Sequence, residues 1–370
     1  MSFDQSNSYT AAGVDINAGE RFADMIRDLV EEAWPNAGEE IGGFAGSGPI
    51  PREAKVVKAS ADGTGTVAIL SALAEYFAGI GYNAVAMAVV DTFIAGARVK
   101  YVLDVLDVAK LIPEKHINII KSIIKACKQA GCRLIGGETA ELPDMFKEDW
   151  MFNLNMTAIG FPDSELRYAP MRPGQLVYMW PSYGPGSNGF SLLRKVHDLK
   201  IKYGFWGAVA RGFNLEGSIY KVQENLTQKR PELGGLSLAN ALLVPTPIWI
   251  QEIEEQQKRG VIYAGHAHIT GGGFSNVERI VPNDPPCRVV IDRHSWKRPT
   301  IFGYTQEVGK ISLAEMDRVF NNGVMIVSIV DQEGVLPDNP NCTQIGIVEK
   351  RRDSCCGQGP KVELIYNYND

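Results

Sequence analysis

Four short stretches combine glycine with groups that handle phosphate. The first runs Ser60-Ala61-Asp62-Gly63-Thr64-Gly65-Thr66-Val67, between an apolar run with Val56 and Val57 and an alanine-rich segment from Ala68 to Ala78. Glycines let backbone N–H groups approach an anion, and a following helix aims its positive end at the same place. Asp62 belongs in such a loop when a metal ion bridges it to phosphate. No lysine stands where a phosphate loop often carries one. The second stretch, Gly136-Gly137-Glu138-Thr139-Ala140-Glu141, follows the apolar Leu134-Ile135. The third, Gly184-Pro185-Gly186-Ser187-Asn188-Gly189-Phe190-Ser191, lies between a strand pattern and a helix pattern. The fourth, Gly265-His266-Ala267-His268-Ile269-Thr270-Gly271-Gly272-Gly273, precedes the helical NVERIV.

Each stretch also has a plain structural reading. A glycine pair after a strand is ordinarily a turn. Glu138 and Glu141 share a face if they open a helix, where they either stabilise its first turn or hold magnesium. His266 and His268 face the same side of a strand. With no third ligand evident, a hydrogen-bonded or substrate-facing His268 fits better than zinc. Asp91 ends the apolar run AVAMAVV (84–90), which reads as a buried strand. A charge there is either the strand's solvated end or a group at the carboxyl end where α/β sheets bind ligands. Several glycine loops beside carboxylates or Ser/Asn pairs suit a polyphosphate with magnesium, since phosphoryl transfer needs chiefly positioning and charge neutralisation. The residues alone point to a nucleotide-dependent enzyme.

The rest of the chain must position these groups. Its 370 residues are enough for two domains, and 45% hydrophobic with 22% charged residues is a globular composition. A formal charge of −6 argues against a nucleic-acid or anionic-lipid surface. The amino terminus shows no secretory pattern, and no apolar run approaches the roughly 18 residues of a spanning helix. Six cysteines form no zinc pattern and are too sparse for a disulfide scaffold. The expectation is a cytoplasmic protein with reduced thiols.

Phe22, Met25, Ile26, Leu29, Val30 and Ala33 predict a helix over 17–34. The glycine- and proline-rich 39–51 predicts a mobile loop. Tyr101 to Val108 reads as a strand, and 114–130 as a helix stopped by Gly131. A composition shift at 162–174 predicts a boundary. Beyond it, Leu176 to Trp180 reads as a strand, Ser191 to Leu199 as a helix, and 201–238 as a surface excursion. Strands recur near 288–292, 324–330 and 361–366. The mixture predicts an α/β or α+β class, with domains at 1–168 and 169–370.

The order of the motifs is specific. SYTAAGVDINAG (8–19), GGFAG (42–46), DGTGT (62–66), GGETAELPDMF (136–146), GSNGFSLLRKV (186–196), PTPIWIQ (from Pro245), AHITGGGFSNVERIVP (267–282) and FNNGVMIV (320–327) follow one another. Together they resemble the phosphoribosylformylglycinamidine cyclo-ligase, or AIR synthetase, family of purine biosynthesis. The resemblance implies a two-domain fold whose amino-terminal sheets pack across a homodimer, with a nucleotide site near that interface. It implies ATP and magnesium: ATP phosphorylates the formyl oxygen, an amidine-side nitrogen closes the imidazole ring, and phosphate leaves.

The resemblance also implies roles. Asp62, Asp91 and Glu138 gather around magnesium and the phosphates. Gly63, Gly65 and Thr66 approach the nucleotide, as do Gly137, Thr139 and Glu141. Ser187, Asn188 and Gly189 receive an anionic substrate group. Thr270 and Gly271, Gly272 and Gly273 line the facing wall, and Asp91 and His268 serve catalysis. Departures gather in the first half: Val67 stands for the family's lysine, Val90 for an asparagine, Ala95 and Arg98 for a glutamine and a glutamate, and Asn153 for an aspartate. In the second half Gly186 stands for a histidine. Arg98 is expected to replace the missing cation near Asp62 and Asp91. A catalytically silent homologue, or a related ATP-dependent enzyme, is the alternative.

Overall fold

The computed structural model describes residues 13–35, 37, 45–163, 166, 168–201, 215–331, 341–351, 353–354 and 357–366. Helix α1 (Ile16–Ala33) starts at Asp15, whose carboxylate accepts from the Ala18 N–H at 3.1 Å. Phe22 and Val30 on its apolar stripe are buried. Then come β1 (Lys58–Gly63), α2 (Val67–Leu73), α3 (Ile80–Ile94), β2 (Ala97–Val108), α4 (Pro113–Ala130), β3 (Arg133–Glu141) and β4 (Phe152–Pro162). The four strands form one sheet ordered β1-β4-β2-β3. β4 runs antiparallel to β1 and β2, while β2 and β3 are parallel, with α4 as the crossover helix between them. Gly131 ends α4 at φ +71°, with the Cys132 N–H on the Cys127 carbonyl.

One expectation changes here. The run AVAMAVV is not a strand; it lies inside α3, whose residues from Ala84 to Val90 are all buried. α3 lies against the sheet on one side and meets the second half of the chain on the other, so it is apolar all round and shows no amphipathic period. Of the expected loop, residues 45–51 are described; most are exposed, with close approaches at two glycines. A Cβ on Gly46 would stand 2.1 Å from the Ile135 carbonyl oxygen, one on Gly48 would strike the Tyr101 ring, and the Tyr101 hydroxyl donates to the Pro49 carbonyl. Residues 38–44 lie outside the described residues.

The second half begins with β5 (Leu176–Pro181), α5 (Phe190–Val196), α6 (Leu215–Thr227), α7 (Leu238–Leu242) and α8 (Ile250–Lys258). It continues with β6 (Tyr263–His268), β7 (Cys287–Asp292), α9 (Thr300–Gly309), α10 (Leu313–Val319), β8 (Val324–Val330) and β9 (Thr343–Lys350). The short pair β10 (Asp353–Ser354) and β11 (Gly357–Gln358) precedes β12 (Val362–Ile365). A six-stranded sheet ordered β12-β7-β9-β5-β8-β6 organises this half. Every residue of β8 is buried, as a central strand covered on both faces requires. The described part of the expected surface excursion is anchored, with Val222 and Leu226 of α6 in the core; residues 202–214 lie outside the described residues. Among the described residues no helix is long and apolar enough to cross a membrane.

Candidate functional site

The site is built on α3. Asn83, Met87 and Asp91 lie four residues apart and form one stripe of the helix. That stripe meets three segments of the second half. Asn83 Oδ1 accepts from the Thr246 backbone N–H at 3.1 Å and its hydroxyl at 2.6 Å, and Asn83 Nδ2 donates to the Gly186 carbonyl at 3.4 Å. Asn188 Nδ2 lies 3.8 Å from Met87 Sδ. Asp91 Oδ1 lies 2.9 Å from His268 Nδ1.

The first glycine loop reaches the same place from β1. Thr64 is fully buried, its N–H and hydroxyl both on the Leu154 carbonyl at 2.9 and 3.2 Å. Gly65 turns the chain at φ +62°, and Thr66 Oγ1 comes 3.4 Å from Ser191 Oγ of the third stretch. Asp62 is exposed, and its Oδ1 accepts from the Gly63 N–H at 2.7 Å. Val67, where the family has lysine, opens α2 at 1% exposure and belongs to the core.

In the third stretch Gly189 is left-handed at φ +77°, and a Cβ there would strike the Phe320 ring at 2.3 Å. Ser187 Oγ is buried with no hydrogen-bond partner among the described residues, a polar atom left over beside the α3 stripe. In the fourth stretch, Asn276 Nδ2 donates to Thr270 Oγ1 at 3.2 Å and to the Gly271 carbonyl at 3.3 Å. The Ser275 hydroxyl donates to the Gly272 carbonyl at 2.8 Å. The place of a Gly271 Cβ lies 3.5 Å from Asn188 Oδ1. Three of the four glycine stretches therefore converge around α3.

The two histidines of β6 do different work. His268 has a 2% exposed side chain facing the 41% exposed carboxylate of Asp91. A carboxylate only accepts, so Nδ1 carries a proton toward Asp91, and Nε2 is buried with no hydrogen-bond partner among the described residues. His266 Nδ1 sits 2.7 Å from Ser328 Oγ, which already accepts from Trp180 Nε1 at 2.9 Å. Which of His266 and Ser328 donates depends on the His266 tautomer. Phe93, Tyr168 and Tyr263 surround that ring, and burial pushes its pKa down to about 3. His266 is a satisfied core histidine.

The second glycine stretch lies elsewhere. GGETAE does not open a helix; it is the carboxyl half of β3, the far edge from β1. Residues three apart on a strand face opposite sides. Glu138 is exposed, in register with Val105, which is 39% exposed. Glu141 points the other way and is committed to backbone, accepting from the Asp15 N–H at 2.7 Å and the Leu111 N–H at 2.8 Å. Gly137 lies against Asp104, whose Oδ1 would be 2.1 Å from a Cβ there. Thr139 follows, in register with Leu106.

Arg98 does not supply the missing cation. It lies in register with Phe161, whereas Asp62 lies in register with Met156, well along the sheet. Its guanidinium is held by Asp163 at 2.7 Å and Glu254 at 3.0 Å. Nor do Asp62, Asp91 and Glu138 form one cluster: among the described residues no three His, Cys, Asp or Glu side chains group as metal ligands. A three-carboxylate magnesium site does not fit a single chain. Asn83, Thr246 and Asp104 were missed in the sequence. Their signal is a polar residue inside an otherwise apolar run, Asp104 sharing its run with Asp107.

The fold is the one shared by AIR synthase-related proteins: residues 50–161 match the family described as AIR synthase related protein, N-terminal domain. The hydrogenase maturation protein HypE, solved in complex with ATP, superposes with a TM-score of 0.58 at 17% identity, covering 92% of this chain and 89% of that one. The phosphoribosylformylglycinamidine cyclo-ligase of Thermoanaerobacter sp. (strain X514) is 36% identical over 333 residues, 89% of this chain and 91% of its own. That of Citrifermentans bemidjiense is 36% identical over 88% of each chain. The chain belongs to the phosphoribosylformylglycinamidine cyclo-ligase family.

Proposed function

We propose that this chain closes the imidazole ring of aminoimidazole ribonucleotide from formylglycinamidine ribonucleotide, converting ATP to ADP and phosphate. The convergence of three glycine stretches on the α3 stripe carries the reading, in a chain 36% identical to a cyclo-ligase over most of its length. The loop from Asp62 to Thr66 offers backbone N–H groups to the nucleotide phosphates. The facing loops, Ser187 to Gly189 and Thr270 to Gly273, hold the ribonucleotide. Asp91 is the member of its pair that solvent reaches, and His268 fixes its direction. Magnesium accompanies ATP in this reaction class.

The two halves form two domains divided near residue 168, and the protein works as a homodimer. The apolar side of the four-stranded sheet, with Tyr101, Leu103, Val105 and Ile159, is the face that pairs. Gly137, Glu138 and Thr139, remote from α3 within one chain, then act at that interface.

The test is phosphate release with ATP and magnesium, with and without formylglycinamidine ribonucleotide. Release that requires the ribonucleotide and yields aminoimidazole ribonucleotide supports the proposal. A folded protein that turns over neither compound refutes it.

A further inference from the structure

We propose that Asn83 and Asn321 are positioning residues for the ribonucleotide side of the cleft. From beneath, their carboxamides fix the peptides of Gly184 to Ser187 so that the Ser187 N–H faces the ligand, a role that rests on reading the cleft around α3 as the cyclo-ligase site.

Four polar side chains from four segments meet under this loop: Asn83 from α3, Ser182 just after β5, Thr246 ahead of α8 and Asn321 ahead of β8. Each is at most 2% exposed. Such groups belong in a core only when they are hydrogen-bonded, and a bonded set holds one arrangement. The Ser182 hydroxyl donates to the Gly184 carbonyl at 2.7 Å, and Asn321 Nδ2 donates to the same oxygen at 3.0 Å. Asn321 Oδ1 accepts from the Gly323 N–H at 2.9 Å, which settles which end of the amide faces the loop. Asn83 is oriented in the same way. Its Oδ1 takes the N–H and the hydroxyl of Thr246, which leaves Nδ2 for the Gly186 carbonyl at 3.4 Å. The loop rests directly on this cluster: the place of a Gly186 Cβ lies 3.2 Å from Thr246 Oγ1 and 4.0 Å from Asn321 Nδ2.

Held carbonyls decide where the next N–H points. In a trans peptide the C=O and the N–H are antiparallel. With the Gly186 carbonyl turned inward to Asn83, the Ser187 N–H points outward. The chain passes there from buried at Gly186 to half-buried at Ser187. The Asn188 N–H is directed at the Pro185 carbonyl at 3.4 Å, whereas the Ser187 N–H meets no acceptor among the described residues. The Ser187 hydroxyl is unpartnered among them too. Two adjacent polar groups without an internal partner suit an oxygen of the ribonucleotide. Asn83 and Asn321 lie too deep to touch a ligand and act through the peptides they hold.

The experiment is steady-state kinetics of the full chain carrying Asn321→Asp, Asn83→Asp or Ser182→Ala, beside calorimetric titration with aminoimidazole ribonucleotide and a thermal melt. A carboxylate keeps the acceptor toward Gly323 or Thr246 and loses the donor toward the loop. Asn321→Asp should raise the KM for formylglycinamidine ribonucleotide about tenfold or more and weaken product binding by the same factor. Asn83→Asp, whose bond to the loop is longer, and Ser182→Ala, which leaves Asn321 in place, should each raise it about threefold. The KM for ATP should stay within about twofold in all three. Loss of folded protein alone would lower the apparent kcat and leave both KM values where they were. Should Asn321→Asp fail to fold, the other two variants carry the test. Folded variants with wild-type KM for the ribonucleotide and wild-type product affinity, or with both KM values raised equally, would overturn the positioning role while the cyclo-ligase reading stands. Wild-type protein that turns over no formylglycinamidine ribonucleotide would remove that reading, and the positioning role with it.

Discussion

Asp91 and His268 are 177 residues apart in sequence and 2.9 Å apart in space. One comes from the last turn of a buried helix, the other from the last residue of a strand in the second sheet. The contact joins the two halves at the point where the glycine loops meet. Asp91→Asn keeps the shape and removes the charge. Its side chain is 41% exposed, so folding stability should change by less than about 1 kcal/mol. Ring closure should fall by roughly 10²-fold or more in kcat/KM, the scale of a positioned acid–base group. Steady-state kinetics beside a urea melt separate the two effects. Activity within about twofold of wild type would remove Asp91 from the chemistry.

What could be read from the sequence divides along a physical line. Amphipathic elements were legible: Phe22 and Val30 on α1, and Ile120 and Ile123 on α4, betray the buried face through their period. α3 was not, because a helix buried on all sides has no polar face to set a period. Val85, Val89 and Val90 then look like strand residues. Length was the neglected signal, since the apolar pattern from Ile80 to Ile94 is too long for a typical strand. The site was legible as a set of motifs but not as a place. Nothing local to GGETAE says that β3 lies at the opposite edge from β1. Strand order is decided by crossovers over many residues.

The last glycines of AHITGGG make separable demands. Gly273 is left-handed at φ +57°, and a Cβ would stand 1.9 Å from the Asp317 carbonyl oxygen. That oxygen belongs to backbone and cannot swing aside. Gly273→Ala should therefore cost about 2–4 kcal/mol, combining strain and overpacking. Gly271→Ala meets only Asn188 Oδ1, at 3.5 Å. It should cost less than about 1 kcal/mol yet change the KM for the ribonucleotide, because Asn188 faces the same cleft. Denaturant midpoints and KM values for the two variants check this. Equal destabilisation by both would show that the loop is only architecture.

Arg98 ties the first half to α8. The side chains of Arg98, Asp163 and Glu254 are 27%, 24% and 13% exposed, so the cluster is shielded more than a surface pair. Arg98→Glu would place three carboxylates together and should destabilise by about 2–4 kcal/mol, while Arg98→Met, which leaves two, should cost about 1–3 kcal/mol. The KM for ATP should not move in Arg98→Met, because Arg98 stands far along the sheet from Asp62. A tenfold rise in that KM would restore Arg98 as a phosphate-binding cation.

Acid stability follows from groups buried in the less stable charge state. Burial lowers His116 and His197 to about 4 and His266 to about 3, against about 6.5 in an unfolded chain. Below about pH 6.5 the unfolded chain takes up protons that the folded chain refuses, so stability is full above that pH and is lost as pH falls toward about 4. Asp104 works the other way. Burial raises it to about 7, so its contribution is full below about 3.9 and lost as pH rises through about 7. Asp317 is also raised by burial and adds to that side. Three histidines against Asp104 leave a net loss of about two proton equivalents at most, or about 2.7 kcal/mol per pH unit, between about pH 6 and 4, and the upward shift of Asp317 acts to reduce it. Asp104→Asn should steepen that slope and make the protein more stable than wild type at about pH 8, where the wild-type carboxylate is charged in a buried place. Urea midpoints across about pH 4 to 8 measure both. A flat profile below about pH 6 would mean that these histidines take up protons in the folded chain.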